Sequence, residues 1–171
     1  MNFKDIPRYT TSGHYQVNCS WNEFEEQFIL PTKREIILDL DPDYQRDYVW
    51  TEEQEIKYIE HILRGGIQGK DIWLNCPGWM KNYRGPFEVV DGKQRIKAVL
   101  DFIHNKIPVF GNNYYKDFDR LPIGYGDFLV HVNDLPTRKQ VLQWYIEMNE
   151  GGTVHTKAEI DKVKELLKKE K

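Results

Sequence analysis

Apolar residues at Ile96, Val99, Leu100 and Ile103 recur at the spacing of one helix face. Just before them, Phe87 to Val90 is apolar, β-branched and entered through Gly85-Pro86. The pattern predicts a short buried strand that passes through Asp91-Gly92 directly into a helix. Other helices announce themselves by their starts. Ser20 with Glu23 has the form of a capping box and opens a helix through Leu30, ended by Pro31. Thr51 with Gln54 repeats that signal, and its helix carries Ile56, Ile59, Ile62 and Leu63 before Gly65-Gly66 stops it. Leu135-Pro136-Thr137 starts another, with apolar residues at 141, 142, 145, 146 and 148, ending at Asn149-Glu150-Gly151-Gly152. A last helix, over residues 156–170, places Ile160, Val163, Leu166 and Leu167 on one face and lysines on the other. That lysine face reads as solvated. As a DNA contact it would give weak, sequence-independent binding that falls steeply with salt.

Strands are expected at 35–40, 71–75, 107–110 and 127–132 as well. Residues 1–20 show no period and read as an irregular arm. Asp41 to Trp50 is a polar, aromatic connection, and 76–85 is a loop. The stretch 111–126 is a long loop with Tyr114, Tyr115, Phe118 and Tyr125, of a length that tends to carry function or motion. The sum is an α+β single domain: a small mixed sheet with helices packed against it. Residues 1–30 form an N-terminal arm and short helix, and 31–171 the body of the domain.

Composition narrows the function. A formal net charge of −3 over 171 residues rules out a broad basic field, so nucleic acid would need a local patch. Cys19 and Cys76 have no metal-type spacing and point to a reducing compartment. With no apolar run long enough for a membrane and no signal-peptide pattern, the expected location is cytoplasmic, with no membrane partner. His14, His61, His104, His131 and His155 show no zinc-type pairing. There is no Walker A loop and no G-x-G-x-x-G, so a nucleotide would need a different cradle.

The strand-to-helix junction offers one. A helix N-terminus presents unpaired N–H groups and the positive end of its dipole, Gly92 lets a ligand approach the backbone, and Lys93 and Arg95 add charge. The plainer reading makes Asp91 an N-cap and Lys93 to Arg95 a solvated first turn. Against it, cations there oppose the dipole unless an anion is near. Likewise, Gln45 and Arg46 either project toward a ligand from an aromatic base or belong to a structural loop pinned by Tyr44, Tyr48 and Trp50.

Taken in order, Tyr44-Gln45-Arg46 followed by Trp50, then Val90-Asp91-Gly92-Lys93-Gln94-Arg95, then Asn149-Glu150-Gly151-Gly152-Thr153 with Glu159-Ile160, resemble a known family. It is the N-terminal domain of GmrSD-type modification-dependent restriction endonucleases, known by a D-G-Q-Q-R motif and related in fold to ParB and sulfiredoxin. The resemblance spans roughly residues 30 to 165. It implies a ParB/sulfiredoxin-like fold with nucleotide binding and hydrolysis, coupled in the restriction proteins to DNA recognition and cleavage by a separate nuclease domain. Residue by residue, it makes Asp91, Gln94 and Arg95 the catalytic candidates. Tyr44, Gln45, Arg46, Gly92, Lys93, Asn149, Gly151 and Gly152 become the nucleotide- and phosphate-binding candidates, and Asp91 the candidate for Mg²⁺. Lys93 departs from the pattern, standing where the family usually has Gln. The chain ends where the restriction proteins continue into helical and nuclease domains, so cleavage by this chain alone is not expected.

Three functions stay open at this point. One is an NTP-binding and NTP-hydrolysing domain of a DNA restriction, defence or counter-defence system. Another is a non-catalytic module that docks on DNA or on a larger defence-system protein. A third is a direct nuclease, for which Asp39, Asp41 and Asp43 are the nearest thing to a carboxylate cluster, though they fit a strand-to-loop turn better.

Overall fold

Alternating buried positions build the centre of the molecule. In strand β3 (Asp71–Asn75), Ile72 and Leu74 join one apolar cluster while Trp73 packs against another. In strand β4 (Phe87–Asp91), Phe87 and Val89 belong to the first cluster and Val90 to the second. A sheet that buries both faces needs helices on both. The computed structural model describes residues 2–6, 15–30, 38–79, 81, 86–119, 124–150 and 157–170. Within these, helices α1 (Trp21–Phe24), α2 (Glu52–Leu63) and α3 (Lys93–Ile103) contribute to the first cluster. Helices α4 (Arg138–Glu150) and α5 (Lys157–Lys169) supply most of the second.

The sheet has five strands in the order β1-β5-β3-β4-β2, with β1 at Tyr15–Ser20, β2 at Leu38–Asp39 and β5 at Asp127–Asn133. Pairing is antiparallel for β1/β5 and β3/β4 and parallel for β5/β3 and β4/β2, so the fold is the expected mixed-sheet α+β domain. Both capping boxes form: Ser20 with Glu23 and Thr51 with Gln54. Past Phe24 the first helix widens into a π-helical turn, Glu25–Ile29.

Some expectations change. Residues 15–20 are not an irregular arm but an edge strand, fully registered with β5 from Tyr15↔Val132 to Ser20↔Asp127. Tyr15, Val17 and Cys19 alternate with Gln16, Asn18 and Ser20, so a period-2 pattern is present, but it covers only six residues. Residues 107–110 form no strand. Pro108 has no N–H to give a ladder, and the chain reverses at once, with Phe110 at φ 48° and Gly111 at φ 94°, leaving one bridge between Val109 and Asn113. The strand expected at 35–40 is seen as Leu38–Asp39, its first part lying outside the described residues. Within the long loop, Tyr115–Asp117 form a 3₁₀ turn and Lys70 Nζ donates to the Gly124 carbonyl at 2.7 Å.

Candidate functional site

β4 enters α3 through a bulge and a glycine. Leu74 faces Val89 while Trp73 faces Asp91, so Val90 is the extra residue just before the junction. Bulges of this kind re-aim the side chains beside them. Gly92 follows at φ 112°, and a Cβ there would stand 2.6 Å from Ile72 Cδ1. A side chain there would be strained by the conformation, and its Cβ would also force Ile72 Cδ1 to shift. Gly92, not Asp91, is the N-cap, and no side chain caps the first turn of α3. The plainer reading of Asp91 is corrected by this: its carboxylate instead forms an i,i+4 ion pair with Arg95.

The segment 41–50 runs as a strap beside that junction, held by side chains at nearly every step. β2 stops opposite Glu88, and beyond it the strap serves the β4 carbonyls. Tyr44 Oη donates to the Val89 carbonyl at 3.1 Å, and Gln45 Nε2 donates to those of Val89 at 3.0 Å and Val90 at 2.7 Å. Burial pushes the Tyr44 phenol well above its ordinary range, with the Glu88 carboxylate adding to the rise. From the helix side, Gln94 Oε1 accepts from Val49 N at 3.0 Å and Trp50 N at 3.1 Å, while its Nε2 donates to the Asp47 carbonyl at 3.2 Å. Lys93 Nζ donates to the Arg46 carbonyl at 2.8 Å and pairs with Asp41.

Strap, junction and the end of α4 enclose a cleft of about 340 Å³. Gln45, Arg46, Asp91, Gly92, Lys93, Gln94, Arg95 and Asn149 all line it, together with Trp50, Val90, Tyr145 and Met148. Eight of the eleven candidates from the sequence thus come together, from stretches as far apart as 45 and 149. Tyr44 is not among them: at 2 % exposure it is a buried wall behind the strap, edge-on to Tyr145. Gly151 and Gly152 lie outside the described residues. Sequence reasoning passed over Tyr145 and Met148 as core. Their signal is spacing: 145, 148 and 149 fall on one helical stripe with Asn149.

The cleft combines cationic and aromatic side chains. Arg46, Arg95 and the uncapped α3 terminus supply positive charge. Trp50, packed on Tyr58 at 5.4 Å between ring centroids, and Tyr145 supply flat apolar surface. Burial pushes the Tyr145 phenol up to about 12, with Arg46 opposing and Glu159 and Asp91 adding, so it stays protonated at neutral pH. Asn149 spends an amide hydrogen on the Tyr145 carbonyl at 2.7 Å. Among the described residues no group of three His, Cys, Asp or Glu could hold a metal ion, and Asp91 is the one carboxylate among the lining residues. This donor set suits Mg²⁺ arriving with phosphates, which takes few protein carboxylates, rather than a resident ion. Among the described residues no helix is long and apolar enough to cross a membrane.

No curated protein and no solved structure matches the chain. The profile of the family described as GmrSD restriction endonuclease, N-terminal domain, matches residues 29–126, more than half of the 171. That span contains the strap and the whole β4–Gly92–α3 junction, and on it the chain belongs to the GmrSD restriction endonuclease N-terminal domain family.

Proposed function

We propose that this domain binds a nucleoside triphosphate in the cleft between the strap, the α3 N-terminus and α4, within a DNA restriction or defence system. The observation that carries the reading is the convergence of Arg46, Arg95 and an uncapped helix N-terminus on one cleft beside Trp50 and Tyr145. Phosphates suit the first set and a base suits the second. Family membership supports the place in restriction.

Hydrolysis is the reaction this arrangement would serve. Water adds to the terminal phosphorus, the bond to the bridging oxygen breaks, and the nucleoside diphosphate leaves. Arg46 and Arg95 neutralise the charge that develops, and Arg95 turning toward phosphate frees Asp91 to orient the water and accept its proton. When bound with the nucleotide, Mg²⁺ would supply further charge neutralisation, and Asp91 would be its protein ligand in place of acting on the water. Gln45 and Gln94 contribute by holding the strap, since their amides are engaged with backbone.

Thermal unfolding with each nucleoside triphosphate and Mg²⁺ tests this. At a hundred times its dissociation constant, a ligand of the folded state adds about 2.7 kcal/mol. For a chain of this length that is a rise of roughly 5–10 °C in Tm. The expected result is a rise with at least one nucleotide that Arg95→Ala abolishes and Asp91→Ala alters. An Arg95→Ala protein that binds as tightly as the parent would sink the assignment. No rise with any nucleotide would favour the docking module instead.

A further inference from the structure

We propose that Lys93 is a positioning residue: it sets Arg46 at the cleft rather than meeting phosphate itself, an inference that rests on the nucleotide reading above. Its side chain is only 12 % exposed, and a buried ammonium must have partners. It has two, the Asp41 carboxylate and the Arg46 main-chain carbonyl at 2.8 Å. Both belong to the strap. The bond to Arg46 falls on a residue that lines the cleft, so it fixes the backbone from which that side chain departs. Asp41 also supplies the anion that a cation in the first turn of a helix requires. Next along α3, Gln94 takes hold of the strap at Asp47, Val49 and Trp50. Two adjacent residues of one helix turn therefore grip residues 46 to 50 in succession, and Lys93 is the grip nearest the phosphate-facing group.

The test is a double-mutant cycle with Lys93→Met and Arg46→Gln, reading the dissociation constant for the Mg²⁺–nucleotide complex by calorimetry. Amide hydrogen exchange of residues 46–50 is followed alongside in the nucleotide-free proteins. Positioning predicts that Lys93→Met weakens binding by about tenfold in the parent, the scale of a lost charged hydrogen bond. In the Arg46→Gln background the same change should do almost nothing. Exchange at Val49 and Trp50 should quicken in Lys93→Met, and to a smaller extent in Asp41→Asn, whose side chain is 76 % exposed and whose loss leaves the core untouched. Additive losses, or tighter binding in Asp41→Asn because the amine is released to the ligand, would make Lys93 a direct phosphate ligand and overturn the proposal. Should the parent bind no nucleotide, the functional reading fails on its own. The exchange arm still decides: faster strap exchange in Lys93→Met keeps the positioning role, and unchanged exchange removes it.

Discussion

Gly92 carries two constraints that no other residue meets together. Its φ of 112° lies where a side chain is strained, and a Cβ would stand 2.6 Å from Ile72 Cδ1 in the sheet below. Gly92→Ala should therefore cost about 1–3 kcal/mol, the usual scale of a residue held in such backbone geometry. Urea unfolding checks this, and a midpoint equal to the parent's would show that the junction relaxes freely. The strand–Asp-Gly–helix pattern made the glycine legible in the sequence. What the sequence could not show was how the polar residues around it divide their work. Gln45 and Gln94 look alike as neutral hydrogen-bonding groups suited to a ligand, yet their amides are bound to main chain. For Arg46, two residues before Tyr48 in a loop without a period, the sequence left open both an aspartate partner and projection toward a ligand.

Between elements, the strap and the two helices beside it share a charged network. Lys97 of α3 pairs with Asp101 and reaches Glu55 of α2 at 3.2 Å, while Lys106 reaches Asp101 at 2.8 Å. Tyr48 of the strap donates to the same Glu55, and Lys97 Nζ stands 4.2 Å above its ring. Burial raises the Asp101 carboxyl, but the hydrogen bonds from Lys106 and Lys97 outweigh it and hold the group below its usual range. A carboxyl lowered in the fold contributes stability above its unfolded value, roughly 4, and loses it as pH falls through the lower folded value. Asp101→Asn should thus cost about 1–3 kcal/mol at neutral pH, as for a charged hydrogen bond broken in the interior. The gap in Tm between parent and variant should close as pH drops below 4. A gap that stays constant from pH 7 to pH 3 would dissociate Asp101 from the network. Helices were the readable elements here, because a capping residue and a 3.6-residue period are local. Strap and network were not, since they depend on pairs such as Glu55 and Lys97 that only tertiary packing brings into reach.

Across the whole molecule, the stretch that carries the family signal and the stretch that folds are different in extent. The match runs over residues 29–126, yet Trp21, at 1 % exposure, sits edge-on to Phe102 of α3 with ring centroids 6.1 Å apart. Phe24 packs on Phe128 of β5 at 5.1 Å, and Phe28 on Phe87 of β4 at 5.2 Å. The segment before the match is therefore bound to the helix and strand that form the site. At the other end, Tyr145, Met148 and Asn149 of α4 line the cleft from beyond residue 126. Residues 15–20 do alternate, Tyr15, Val17 and Cys19 against Gln16, Asn18 and Ser20. A six-residue pattern following a polar arm is a short signal, however, and on sequence alone they fall outside the sheet. Truncating a buried aromatic costs about 3–5 kcal/mol, and a domain holds only about 5–15 kcal/mol in all. A fragment of residues 29–171, lacking β1, Trp21, Phe24 and Phe28, should consequently fail to fold, and Trp21→Ala alone should lower the urea midpoint sharply. Cooperative unfolding of that fragment at the parent's midpoint would mean that the edge strand and its aromatics are dispensable. In that case the cleft would have to be built by residues 29–171 without them.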